Sequence, residues 1–151
     1  GDELSGLVIS GPILGADPAM QGLLELDPIP AIPIDPAVLS RDPAVGAAYA
    51  ADPLIYHGPF LRPTLVALFE AVAAVAEDGS LGDLPTLWIH GEADQLIPLA
   101  VTRTGIESIR GAAFEERIYP GAAHEVFNEI NRDEVLDDVM DFLRRALTSK
   151  P

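Results

Sequence analysis

Leu84-Pro85-Thr86-Leu87-Trp88-Ile89-His90 runs directly into Gly91-Glu92-Ala93-Asp94-Gln95-Leu96-Ile97-Pro98, and the character of that junction decides the fold. The first part is a short apolar run closed by glycine, the pattern of a strand buried on both faces. Pro85 has no N–H and is tolerable only where the chain enters the sheet. Pro98 then opens a helix that carries Leu99, Thr102, Ile106 and Ile109 on one face and ends at Gly111. Phe114–Tyr119 follows as a second strand, weakened by Glu115-Glu116-Arg117 in its middle. Asn131 with Glu134 resembles a capping box. Behind it Val135, Leu136, Val139, Met140, Phe142, Leu143 and Leu147 mark an amphipathic final helix. On the upstream side, Leu65, Leu68, Phe69, Val72 and Val75 follow helical spacing between Pro63 and Gly79. Alternation of helix and strand over residues 81–151 predicts an α/β fold, a parallel sheet with helices on both faces.

Further upstream, Leu4–Ser10 is another short apolar run, closed by Gly11-Pro12, and residues 1–11 read as a third core strand. Residues 12–80 differ in kind. Ten of the fourteen prolines lie between Pro12 and Pro63, each fixing φ and removing a donor, so long helices and interior strands are excluded there. Apolar residues still recur: Ile13, Leu14, Leu23, Leu24, Leu26, Ile29, Ile32, Ile34, Val38 and Leu39. A stretch both irregular and greasy suits a cap or lid over a core better than a linker, which would be polar. Asp42-Pro43 and Asp52-Pro53 each read as a helix start, with Asp as N-cap and Pro in the first turn.

Composition narrows the function classes. Hydrophobic residues make up 48% of the 151, which argues against intrinsic disorder. No apolar run reaches the ~18 residues of a membrane-spanning helix, and Gly1-Asp2-Glu3 lacks the basic flank of a signal peptide. There is no cysteine, hence no disulfide, thiolate metal site or cysteine nucleophile in these residues. With 24 acidic against 9 basic residues and a formal net charge of −15, binding to nucleic acid or to anionic lipid through a basic patch is disfavoured. The scattered acids read as a solubilising surface.

In parallel sheets reactive groups gather at the carboxyl ends of strands. Asp94 lies on the loop after one strand and His124 on Pro120-Gly121-Ala122-Ala123-His124 after the next. Neighbouring strands are ~4.8 Å apart, so the two loops can join a carboxylate to an imidazole, the pairing that fixes a histidine tautomer and stabilises an imidazolium. Alone, Asp94 would fit a helix-start carboxylate and His124 a solvated turn histidine; the spacing of the two favours the paired role. His57 and His90 suit structural hydrogen bonds, Trp88 suits the core, and Glu125 faces water as readily as a substrate. The histidine spacings match no metal-binding pattern, and no phosphate-binding glycine loop is present.

Gly91–Pro98 (GEADQLIP) and Tyr119–Glu129 (YPGAAHEVFNE) resemble the Asp and His motifs of the α/β-hydrolases, and more narrowly those of the bacterial monoacylglycerol lipase and lysophospholipase branch. Leu7–Pro12 (LVISGP), Ser40–Pro43 (SRDP) and Asp52–Gly58 (DPLIYHG) support the likeness, which covers essentially the whole chain but only the second half of such an enzyme. The resemblance implies catalytic Asp94 and His124, with a serine nucleophile and its oxyanion hole on a half that precedes Gly1. The nucleophile elbow G-x-S-x-G is missing here; Ser10 has no elbow glycine, and neither do Ser5, Ser40, Ser80, Ser108 and Ser149. It implies a single-chain acyl ester or glycerolipid substrate held in an apolar trough, with Leu23, Leu24, Leu26, Ile29 and Ile97 as the contacts. No cofactor and no metal are implied. Transient contact of the cap with a lipid surface, and a cytoplasmic or peripheral membrane location, are expected. Other chemistries of the same fold (dehalogenase, epoxide hydrolase, peptidase) stay open, as does an inactive half of a split protein.

Overall fold

The structure is a computed structural model that describes residues 4–15 and 17–148. The acidic opening Gly1–Glu3 and Ser149 lie outside the described residues. Three strands, β1 (Leu7–Ser10), β2 (Thr86–Gly91) and β3 (Phe114–Tyr119), form one sheet in the order β1-β2-β3, and both pairings are parallel. Leu7 stands opposite Thr86, and Thr86 opposite Phe114. Among the described residues five α-helices accompany them: α1 (Pro18–Gly22), α2 (Pro43–Ala51), α3 (Arg62–Asp78), α4 (Leu99–Ile109) and α5 (Arg132–Thr148).

Two strand starts fall later than the apolar runs suggest, at Leu7 rather than Leu4 and at Thr86 rather than Leu84. The reason is Pro85. Its carbonyl accepts from Leu7 N at 2.8 Å, but it has no N–H to return, so the ladder cannot extend behind that pair.

Every residue of β2 is buried, and the alternation of its side chains sorts the core into two layers. Leu87 and Ile89 pack with Val135, Val139, Phe142 and Ala146 of α5 on one face. Trp88 packs with Ile106 and Ile109 of α4 on the other. The charged interruption in β3 does not break the strand. Glu115 pairs with Arg145 of α5 at 2.8 Å and Glu116 with Arg103 of α4 at 3.0 Å, so consecutive carboxylates reach opposite layers.

The stripe that α5 buries is Val135-Val139-Phe142-Ala146. Leu136, Met140 and Leu147, expected on the core face, are exposed at 45%, 45% and 67%. The capping box is also different from the expected one. Asn131 Nδ2 donates to Glu134 Oε2 at 2.9 Å, while Asn131 Oδ1 is turned toward Arg41, accepting from it at 2.8 Å in place of a backbone N–H of α5.

Residues 12–63 hold only short elements, as their prolines require. Aspartate before proline recurs as a local brace. Asp17, Asp35 and Asp42 each accept a backbone N–H two residues on, at 2.9 Å, and each starts a helical turn. Asp52 makes the same bond to Leu54 N at 2.8 Å, but no helix follows. Leu54 is 91% exposed and Gly58-Pro59 comes too soon, so that turn has no apolar face to bury.

Candidate active site

Gly91 ends β2 where the chain must pass very close to another loop: a Cβ there would run into the carbonyl oxygens of Ala122 and Ala123. Only glycine allows this approach, and it brings the turn after β2 against the loop after β3. Ala93 N donates to Ala122 O at 2.9 Å, and Glu92 N to Tyr119 O at 3.0 Å. The turn aims Asp94 inward, with its side chain fully buried. Oδ1 accepts from Leu96 N at 2.9 Å and Ile97 N at 2.8 Å. Oδ2 accepts from His124 Nδ1 at 2.8 Å.

A carboxylate oxygen only accepts, so the proton of that contact sits on His124 Nδ1. Nε2 is left as the free lone pair and makes no hydrogen bond among the described residues; the His124 side chain is 24% exposed. Against the ring lies Gly11, whose positive φ of 48° would strain any side chain and whose Cβ would crowd the imidazole.

The pair is electrostatically matched. Burial pushes the Asp94 carboxyl up, but the hydrogen bonds from His124, His90 and Ile97 outweigh it and hold the group well below the ordinary carboxylate range. The hydrogen bond to Asp94 raises the His124 imidazole above 6.5; burial opposes it, and the charges of Asp94 and Glu125 add to it. The His124 contribution to folding is therefore fully present below the unfolded value and is lost as pH rises through the raised one. The Asp94 contribution is present above its unfolded value and lost as pH falls through the depressed one.

His90, expected to satisfy backbone groups, does so. Its Nε2 donates to Ile97 O at 2.9 Å and lies 3.3 Å from Asp94 Oδ2. His57 and the Tyr49 ring meet edge to face, centroids 5.2 Å apart, in place of the hydrogen bond expected for His57. Glu92 accepts from Gly121 N at 3.2 Å and Glu125 from Asn128 Nδ2 at 2.7 Å. Among the described residues no group of three or more His, Asp or Glu side chains is disposed to hold a metal ion, and no helix is long and apolar enough to cross a membrane.

Of the five apolar candidates, Leu23 lines a cavity of about 310 Å³ together with Met20, Ile32, Ile34, Val38, Phe60, Gln95 and Leu96, among others. Leu24, Leu26, Ile29 and Ile97 do not line it. Leu24 and Leu26 instead offer their carbonyls to Arg62. Ile97 is buried, with its N–H on Asp94 and its carbonyl on His90. The cavity borders the Asp–His pair through the backbone, since Leu96 N holds Asp94 and Val38 O accepts from His124 N at 3.4 Å. Proline-broken segments carry no periodicity that would bring Met20, Val38, Phe60 and Leu96 together as wall residues. No local signal marks the buried Glu129 and its partner Arg41 either, although both sit in the runs Tyr119–Glu129 and Ser40–Pro43.

The parallel sheet, with a carboxylate and an imidazole hydrogen-bonded across the carboxyl ends of adjacent strands, is an arrangement of the α/β-hydrolases, and the comparisons with known proteins give the same class. Within that class, residues 1–131 match the Hydrolase_4 family, described as serine aminopeptidase S33, and the chain belongs to that family. A monoacylglycerol lipase of Mycolicibacterium smegmatis is 35% identical over 150 residues, covering 93% of this chain and 54% of that protein. The fold matches the monoacylglycerol lipase of Paleococcus ferrophilus with a TM-score of 0.76 at 22% identity, over 96% of this chain and 60% of that one. It matches a soluble variant of the monoglyceride lipase of Saccharomyces cerevisiae, in complex with a substrate analogue, with a TM-score of 0.75 at 21% identity, over 96% and 54%. The chain thus spans about half the length of the relatives it resembles.

Proposed function

We propose that this chain is the His- and Asp-bearing half of a carboxylic ester hydrolase of the monoacylglycerol lipase and lysophospholipase kind. The observation that carries the reading is the 2.8 Å contact between His124 Nδ1 and Asp94 Oδ2, which leaves Nε2 free to take a proton. In the proposed mechanism a serine on the preceding half attacks the ester carbonyl. His124 Nε2 accepts the serine proton, then returns it to the departing alcohol, and repeats the exchange with water to release the acid. Asp94 holds the tautomer and stabilises the imidazolium. Residues 12–80 act as the cap, and the cavity of about 310 Å³, lined mostly by apolar side chains, receives the acyl chain. The 35% identity to a protein named monoacylglycerol lipase supports an ester rather than a peptide as substrate.

Turnover requires neutral His124, and the imidazole is raised by Asp94. The acid limb of kcat/KM is therefore expected above the ordinary histidine value of 6.5. A profile of kcat/KM against pH checks this; a limb below that value would contradict it. The reading as a whole is tested by assaying hydrolysis of a monoacylglycerol and of a p-nitrophenyl ester, with this chain alone and with it joined to its preceding half. Activity is expected only in the joined protein. Hydrolysis by the chain alone would mean that the nucleophile lies within these residues.

A further inference from the structure

Glu129 lies five residues beyond His124, in the short turn before α5, and its side chain is completely buried. Its two oxygens collect four N–H donors from three separate stretches of chain. Oε1 accepts from Ala123 N at 2.7 Å and Arg41 N at 3.1 Å, and Oε2 from Arg41 Nε at 2.8 Å and Ile130 N at 3.0 Å. Arg41 also reaches Asn131 Oδ1 at 2.8 Å, and Ser40 Oγ donates to Asn128 O at 2.9 Å. The same stretch is zipped to the histidine loop by backbone, with His124 N on Val38 O at 3.4 Å and Glu125 N on Leu39 O at 2.8 Å. Burial works against the charge, yet the N–H of Ala123 and the Arg41 guanidinium, with the N–H groups of Arg41 and Ile130, bring the carboxyl below its ordinary range. One ion thus fixes the residue just before His124 and, through Arg41, the stretch that contributes Val38 to the cavity wall.

We propose that Glu129, gripped by Arg41, is a positioning residue that sets the His124 imidazole relative to Asp94 and to the cavity wall. The proposal rests on the reading of His124 as the proton-transferring base. A core packed for its own sake has no need of a buried carboxylate; burying a charge is costly and is tolerated where it holds geometry. Small misplacements of a catalytic group are costly in rate, and supporting residues limit them.

The test is Glu129→Gln in the joined enzyme. Glutamine keeps the shape, but its amide NH2 must face two of the four N–H donors, so half the grip is lost. Turnover per active site is expected to fall about 10- to 100-fold, with KM changed less than about threefold. The low-field proton resonance of His124 Nδ1–H, assigned by its loss in His124→Ala, is expected to shift or broaden. A residue that only stabilises the fold would lower the melting temperature and leave both the resonance and per-site kcat at wild-type values, and that result would overturn the proposal. If Glu129→Gln does not fold, Arg41→Gln decides by the same two readouts. It leaves the bonds to Ala123 and Ile130 in place and should give a smaller change in the same direction; wild-type values there overturn the proposal equally. Unchanged turnover in His124→Ala would instead sink the catalytic reading, and the resonance would still report whether Glu129 positions the ring.

Discussion

His124→Ala in the joined enzyme is expected to lower kcat by about 10⁴, equivalent to ~5.5 kcal/mol of transition-state stabilisation, with little change in KM. The expectation follows from one feature of the geometry. Nδ1 is committed to Asp94 at 2.8 Å and Nε2 is unbonded among the described residues, so the ring's proton-accepting capacity is held ready for an incoming group. No other candidate is so placed. Glu92 and Glu125 are engaged by Gly121 N and Asn128 Nδ2, and His57 sits against Tyr49. Alanine leaves no group to take the nucleophile's proton, whereas the apolar walls that would hold an acyl chain are untouched. Steady-state kinetics with folding verified by circular dichroism checks this; a folded variant with wild-type kcat would transfer the role to one of those three residues.

Asp94→Asn is expected to cost up to about 10⁴ in kcat as well, by a different route. Leu96 N and Ile97 N both donate to Oδ1, so the asparagine carbonyl oxygen must occupy that position. Its NH2 then faces His124 Nδ1, which can meet a donor only as an acceptor. The imidazole proton is driven to Nε2, where the nucleophile's own proton would have to go. The NH2 also opposes the Nε2–H of His90, which adds a fold cost of roughly 1–3 kcal/mol. The two effects separate in measurement: kcat per folded molecule reports the tautomer, and the melting temperature reports the lost bonds. A folded Asp94→Asn protein with wild-type turnover would show that the tautomer of His124 is immaterial.

How far these features could be read before any coordinates depends on whether the signal is local. The three strands follow from short apolar runs with proline and glycine at their ends, and the Asp94–His124 approach follows from their placement after two successive strands; that β1 lies beside β2 was not read from the sequence. The face of α5 was not legible. Val135-Val139-Phe142-Ala146 and Leu136-Met140-Leu147 are apolar stripes of the same helical spacing, one residue apart, and periodicity cannot say which one the sheet covers; Leu143 packs against the core at the border of the two. The start of β1 depends on the neighbouring strand, where Pro85 stands just before Thr86, the partner of Leu7, and offers no N–H to continue the ladder. The Asp-Pro starts at residues 17 and 35 carry the same cue as Asp42-Pro43, which was recognised, while Asp52-Pro53 carries the cue without the helix. Glu129 is the clearest gap. Its meaning depends on Arg41, 88 residues away, and nothing in the local sequence distinguishes it from a solvated acid. The trough residues follow the same rule: Leu23 was identified, but Val38 and Leu96 join it only because the chain folds back on itself.

Fluorophosphonate labelling of the joined protein, with the adduct mapped by mass spectrometry, reads the proposed acid–base role of Asp94 and His124 at the nucleophile itself. A single labelled serine on the preceding half is expected, with labelling slowed by at least about 10³-fold in His124→Ala. Equal labelling rates in wild type and variant, or an adduct on a serine within this chain, would contradict it.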